Sequence, residues 1–345
     1  MRSKNRSGIR AKAAIFLLFI FSPIAVSFVN PLSSEAQDFA ATANQVQVQT
    51  REWANKGRAA IGLCLAYCPD KILPLKIQTT SGQPADEYSV HYFKARNSGN
   101  GPKPLVLVPP LPDFGFSMDW YCSGVSKRGM NCAYVKAPVA LWNLSLLRPI
   151  HAIRSFKNYI LENVAASENA LNALLSNPDV DSSRLGVMGV CLSGFEASLI
   201  AQEDPRVKNV VLLISGGNFP LIAMKSRGGK FKTFLSALKR RVKFTSQADM
   251  KRFLEEKFRS VDPISHADRM AGRRVLMINS NEDPIIPIAA ANDYAAALNK
   301  AGARITYKTL SIPGHNPLRY LWDFPRFFKT MKEFNSSIDF FKTIQ

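Results

Sequence analysis

The residues most suited to chemistry lie in Gly189-Val190-Cys191-Leu192-Ser193-Gly194. The short apolar run 185–188 before them reads as a buried strand, and 195–201 after them reads as a helix. A strand, a sharp turn and a helix with a nucleophile at the tip form a nucleophile elbow, usually written G-x-S-x-G. Here Cys191 stands in the serine position and Ser193 in that of the second glycine. The turn is crowded, so the residues two before and two after the nucleophile must be small, and Gly189 and Ser193 meet that demand. Ser193 is the rival nucleophile, but its own flank at Phe195 is bulky, which favours Cys191.

A thiol at such a tip needs a base and a residue to orient that base. In this arrangement they follow in the order nucleophile, acid, histidine, each after a strand. Segment 274–279 reads as a strand, and Ser280-Asn281-Glu282-Asp283-Pro284 follows it. Segment 304–310 reads as the next strand, and Ser311-Ile312-Pro313-Gly314-His315 follows that one. Cys191, Asp283 and His315 therefore fall in the required order at strand C-termini, the edge where open α/β sheets bind ligands. The other histidines, His91, His151 and His266, follow no strand at that edge and read as surface or core residues.

With these segments the chain, from about Leu75 onward, resembles the α/β-hydrolase superfamily. The cysteine at the elbow resembles the dienelactone hydrolases, which use Cys, His and Asp, and is also similar to the polyhydroxyalkanoate synthases, which use the same three residue types for acyl transfer. The resemblance implies a mostly parallel central sheet flanked by helices, with a helical lid inserted before the acid strand. It also implies an oxyanion hole built from two backbone N–H groups, one on the residue after the nucleophile, here Leu192. The other comes from the loop after the strand 105–108, where many members carry His-Gly and this chain has Pro109-Pro110-Leu111-Pro112. Proline has no N–H, so Leu111 is the natural donor.

The elements that must position these groups are legible in outline. Segments 72–80 and 88–95 alternate as first strands, and 97–104 is a turn cluster. A helix is expected at 116–127, a strand at 130–135, one long helix or two over 151–175, and a buried strand at 207–215. The 345 residues, 46% of them hydrophobic, suffice for one large α/β domain over 75–345. Residues 37–74 read as a helical lead-in.

Residues 1–36 read as a targeting segment. Arg2, Lys4, Arg6, Arg10 and Lys12 precede the nearly apolar stretch 13–29, and Ser34-Glu35-Ala36 offers small residues at the positions a signal peptidase reads. Two outcomes stay open: a cleaved signal peptide, or an anchor formed by 13–29. Both export the rest, to periplasm or exterior, because the basic flank stays inside. Beside Cys191 there are four cysteines, Cys64, Cys68, Cys122 and Cys132, which in an exported protein allow two disulfides in three pairings. Free buried thiols are the alternative.

The formal net charge is +19, and the lid segment 220–260 alone carries +9 from twelve cations and three carboxylates. Phe231, Phe234, Leu235, Leu238 and Val242 fall at helical spacing, giving one apolar and one basic face. Such a helix either lies on an anionic membrane surface or packs its apolar face on the domain with its cations solvated. No nucleic-acid-binding motif accompanies the charge, so no nucleic-acid partner is expected. The residues point to an exported enzyme that attacks the carbonyl of an ester, lactone or thioester of a small-molecule or lipid-like acyl substrate. That chemistry requires no metal or organic cofactor. An acyltransferase, and a non-catalytic ligand-binding member of the fold, are the alternatives.

Overall fold

The computed structural model describes residues 69–78, 84–96, 99–111, 115–137, 148–315 and 323–342. Residues 1–36, the stretch 13–29 within them, and Cys64 and Cys68 lie outside the described residues.

Eight strands form one sheet: β1 (Lys71–Gln78), β2 (Pro84–Phe93), β3 (Lys103–Val108), β4 (Asn131–Lys136), β5 (Val180–Val190), β6 (Val207–Leu213), β7 (Arg274–Ser280) and β8 (Arg304–Leu310). Their order across the sheet is β1-β2-β4-β3-β5-β6-β7-β8. The pairs β1/β2 and β2/β4 are antiparallel, and every pair from β4 onward is parallel. The inner parallel strands read as apolar runs because both of their faces are covered, whereas the edge strand β8 is largely exposed. Leu105 and Leu107 of β3 enter one core while Val106 and Val108 enter the other, and Val210 and Leu212 of β6 oppose Val211 and Leu213 in the same way.

The first face is covered by α2 (Pro149–Leu175), α3 (Leu192–Glu203), α4 (Phe219–Lys225), α5 (Gly229–Arg241), α6 (Gln247–Phe258) and α7 (Ile288–Lys300). The second is covered by α1 (Gly115–Lys127) and α8 (Phe324–Lys342). A 3-10 segment, Pro263–Met270, leads into β7. Segment 151–175 is thus a single helix opened by Pro149, whose missing N–H is no loss in the first turn.

Three details differ from the sequence reading. β1 begins at Lys71, so the sheet starts within the stretch read as a helical lead-in. β5 begins at Val180 rather than 185, because its polar first residues follow an irregular register: Lys103 pairs with Val180, yet Leu105 pairs with Leu185. β6 stops at Leu213, where Ile214 turns to a φ of 48°. Cys122 of α1 and Cys132 of β4 are joined by a disulfide, which selects one bond among those the count of cysteines allowed.

Helices α4, α5 and α6 fill the interval between β6 and β7. The apolar face of α5 packs inward: Phe234 and Leu238 are buried, and Phe231, Leu235 and Val242 lie against the same core. Phe219 of α4 ties this layer together, its ring centroid 6.2 Å from Phe195 of α3, 6.3 Å from Phe231 and 4.1 Å from Phe258.

Candidate active site

Cys191 sits between the end of β5 and the start of α3 with φ 55° and ψ −117°. A positive φ in a residue with a Cβ is uncommon and marks a strained tip. Crowding enforces it. A Cβ on Gly189 would lie 2.2 Å from the carbonyl oxygen of Ser193, so only glycine fits. Ser193 is fully buried, and its hydroxyl accepts from Val190 N (2.8 Å) and donates to Val190 O (3.0 Å). Ser193 therefore pins the turn, while Cys191 is the free, partly exposed thiol.

The acid and the histidine arrive from the two neighbouring strand ends. Asp283 follows β7; its Oδ1 accepts from Ile285 N (2.7 Å) and Ile286 N (2.9 Å). Its Oδ2 accepts from His315 Nδ1 (2.6 Å) and His315 N (3.2 Å). The two loops are also tied by Asn281 N to Leu310 O (3.2 Å) and by Ser280 Oγ to Ile312 O. Both side chains are almost wholly buried. Cys191 lies near enough for its charge to act on the His315 ring.

The environment of His315 favours its charged form. Burial alone works against an imidazolium, but the Asp283 carboxylate, the negative charge of Cys191 and the hydrogen bond to Asp283 hold its pKa well above the usual histidine range. The structure thus pairs His315 with Asp283 and brings both near Cys191.

The two expected oxyanion donors lie at the same sheet edge. Leu192 is the first residue of α3, where N–H groups have no intrahelical partner. Leu107 of β3 pairs with Val187 of β5, so Leu111 and Cys191 follow that pair by the same number of residues, just beyond the ends of adjacent strands. Leu111 is partly exposed, directly after the buried Pro109 and Pro110. The remaining histidines lie elsewhere: His91 stacks on Tyr134 at 4.6 Å, His266 donates to Arg259 O at 2.9 Å, and His151 is exposed on α2.

Two features of the elbow carried no signal in the sequence pattern. Behind it, Ser215 Oγ donates to Cys191 O at 2.9 Å. On α3, Glu196 is fully buried and accepts from Asn163 Nδ2 (2.7 Å), whose Oδ1 in turn accepts from Tyr88 OH (2.9 Å). Burial, resisted by the Asn163 bond and reinforced by the charge of Cys191, raises the Glu196 pKa well above the carboxylate range. A Glu in the middle of an apolar helix was the only available hint.

Comparison with known proteins agrees with this architecture. Residues 166–325 match the family described as BAAT / Acyl-CoA thioester hydrolase C terminal. No curated protein matches the sequence at a significant level. Among solved structures, the chain is similar to a Mycobacterium tuberculosis puromycin-hydrolyzing peptidase (TM-score 0.57, 14% identity, 81% of this chain and 40% of that one). It is similar to the Pyrococcus horikoshii acylaminoacyl peptidase (TM-score 0.58, 15% identity, 79% and 42%). It is also similar to a Pyrobaculum calidifontis esterase (TM-score 0.53, 15% identity, 86% and 92%). The chain spans about two fifths of the length of the two peptidases and nearly all of the esterase. Sheet order, elbow and neighbours define an α/β-hydrolase fold.

Proposed function

We propose that this chain is an exported hydrolase that cleaves a carboxylic ester, lactone or thioester through a covalent acyl–cysteine intermediate. One observation carries the reading: a cysteine on a strained elbow lies near a buried histidine whose Nδ1 a buried carboxylate holds. The matched family's description, an acyl-CoA thioester hydrolase, and the esterase among the structural neighbours support acyl chemistry.

The reading implies the following steps. Cys191 Sγ, its proton passed to His315, attacks the carbonyl carbon. The carbonyl π pair moves to oxygen, which the N–H groups of Leu192 and Leu111 stabilise. Collapse of the adduct breaks the bond to the leaving group, which takes the Nε2 proton of His315 and departs as alcohol or thiol. Neutral His315 then removes a proton from water, and the hydroxide adds to the acyl–cysteine. A second collapse frees the carboxylic acid and restores thiolate and imidazolium. Asp283 keeps Nδ1 as the donor and the ring in place throughout.

Export is supported by the order of residues 1–36 and by the Cys122–Cys132 disulfide, since such bonds persist in oxidising compartments.

The test is release of free acid from a panel of short- and long-acyl nitrophenyl esters and acyl thioesters, with and without an added alcohol. Acid release by the native protein, lowered by several orders of magnitude in Cys191→Ala, is expected. Product appearing only as the ester of the added alcohol would make it an acyltransferase. Full turnover by Cys191→Ala, with loss in Ser193→Ala, would overturn the assignment of the nucleophile.

A further inference from the structure

The turn after β6 grips the nucleophile from behind, and its role reaches further than support. We propose that Ser215 is a positioning residue whose hydroxyl aims the oxyanion-binding N–H of Leu192. The proposal rests on the acyl-transfer reading above.

The Cys191 carbonyl oxygen accepts from Ser215 Oγ at 2.9 Å and from Gly194 N at 3.2 Å. That oxygen belongs to the same peptide unit as the Leu192 N–H. The peptide is planar and trans, so its C=O and N–H point in opposite directions. Holding the oxygen toward β6 therefore turns the N–H away from β6. A rotation of this plane would redirect the N–H without moving the thiol's partners, which come from β7 and β8.

The turn that delivers Ser215 is itself tightly held. Ile214 has φ 48°, a conformation that is a clear outlier for a β-branched residue and persists only where the surroundings impose it. Ile214 N donates to Ile278 O (2.7 Å), Asn279 Nδ2 donates to Ser215 O (2.5 Å), and Cys191 N donates to Leu213 O (3.0 Å). Ile214, Ser215 and Asn279 are all buried. The Asn279 Oδ1 has no hydrogen-bond partner among the described residues, an unfavourable feature tolerated in order to place the amide on Ser215. Space is equally constrained: a Cβ on Gly194 would fall 2.2 Å from Ser215 Oγ. Two strained residues, Cys191 and Ile214, are thus coupled through one hydroxyl.

The experiment compares Ser215→Ala with the native protein in three measurements. One is kcat and KM on an ester that the native protein hydrolyses. Another is affinity for an aldehyde bearing the same acyl chain, which adds to the thiol to give a tetrahedral oxyanion. The third is the rate of alkylation by iodoacetamide, which needs the thiolate but develops no oxyanion. Deleting an oxyanion donor costs on the order of 100- to 1,000-fold in kcat, so misaiming one should lower kcat roughly ten- to a hundredfold, with KM nearly unchanged. Aldehyde affinity should fall in parallel, and alkylation should stay at the native rate. Asn279→Ala should show the same split more weakly, and it carries the test if Ser215→Ala does not fold. Alkylation falling as far as turnover, or kcat at the native value in both variants, would overturn the proposal. If the native protein hydrolyses no ester or thioester, the functional reading fails by itself, while the aldehyde-against-alkylation comparison still reports on the peptide plane.

Discussion

One oxygen of Asp283 holds His315 at two points: Oδ2 accepts from the ring Nδ1 at 2.6 Å and from the backbone N at 3.2 Å. Ring orientation and loop position are thus set by the same atom. The other oxygen is held by Ile285 and Ile286, so the carboxylate cannot turn to follow a displaced histidine.

Gly314 makes this approach possible. Its φ is +58°, and a Cβ there would lie 2.3 Å from Asp283 Oδ2. Gly314→Ala should push the carboxylate off the imidazole. We expect ester turnover to fall at least about tenfold, with a stability loss of roughly 1–3 kcal/mol from the strained backbone. Steady-state kinetics and thermal melting check both, and native turnover in this variant would contradict the clamp.

The upward shift of His315 has an electrostatic share from Cys191. The native protein should therefore keep its imidazolium above the usual histidine range and lose activity only as alkaline pH removes that proton. Cys191→Ser removes the share from Cys191 and leaves that of Asp283. A hydroxyl must be deprotonated by neutral His315, so the weak residual activity should rise with pH, with a midpoint below that of the native decline. Parallel pH–rate profiles in the same direction would refute this assignment of charge.

Glu196 makes a prediction about stability. Its folded pKa is raised, so the unfolded chain releases the proton first as pH rises from the ordinary carboxylate range. Its contribution is fully present below that range and declines as pH rises toward the folded pKa. Glu196→Gln keeps an acceptor for Asn163 and cannot ionise. Melting curves from pH 5 to 8 should show this variant at least as stable as the native protein, by a margin that widens with pH. Glu196→Leu strands the Asn163 amide and should cost about 1–3 kcal/mol.

The Cys122–Cys132 bond ties α1 to β4 beside Asn131 and closes a short loop. Replacing both cysteines by alanine should lower stability by about 2–3 kcal/mol on loop-entropy grounds. Non-reducing peptide mapping of protein recovered outside the cytoplasm should show this crosslink, with an N-terminus near Gln37 if the leader is cleaved. A reduced Cys122 in that fraction would remove the disulfide's support for export.

Helix α5 directs its apolar face into the core and ends in exposed Lys239, Arg240 and Arg241, where cations also suit the helix dipole. Contact with an anionic membrane would therefore be electrostatic and without insertion. Cosedimentation should show no binding to neutral vesicles, and salt or neutralisation of those three residues should remove all binding to anionic ones. Binding of protein lacking residues 1–36 to neutral vesicles would mean that α5 leaves the core.

What the sequence determined by itself was local or ordered along the chain. Gly189 before Cys191 is legible because a strained turn excludes side chains at fixed spacing. Asp283 is legible because it follows the apolar, buried run of β7, and His315 because it follows the next strand in order, the largely exposed edge strand β8. The tertiary structure decided what depends on distant partners. The polar opening of β5 is a strand only because β3 pairs with it at Val180. Ser193 resembles a nucleophile until its hydroxyl is seen closed on Val190. The apolar stripe of α5 could equally have faced lipid until Phe219 and its neighbours covered it. Ser215 acts on Cys191 from 24 residues away, and Tyr88 reaches Asn163 across 75. Side-chain periodicity reports which face is apolar and crowding reports which turn is tight. Neither reports the partner of a lone hydroxyl or a buried acid, because that partner exists only once the strands have been laid side by side.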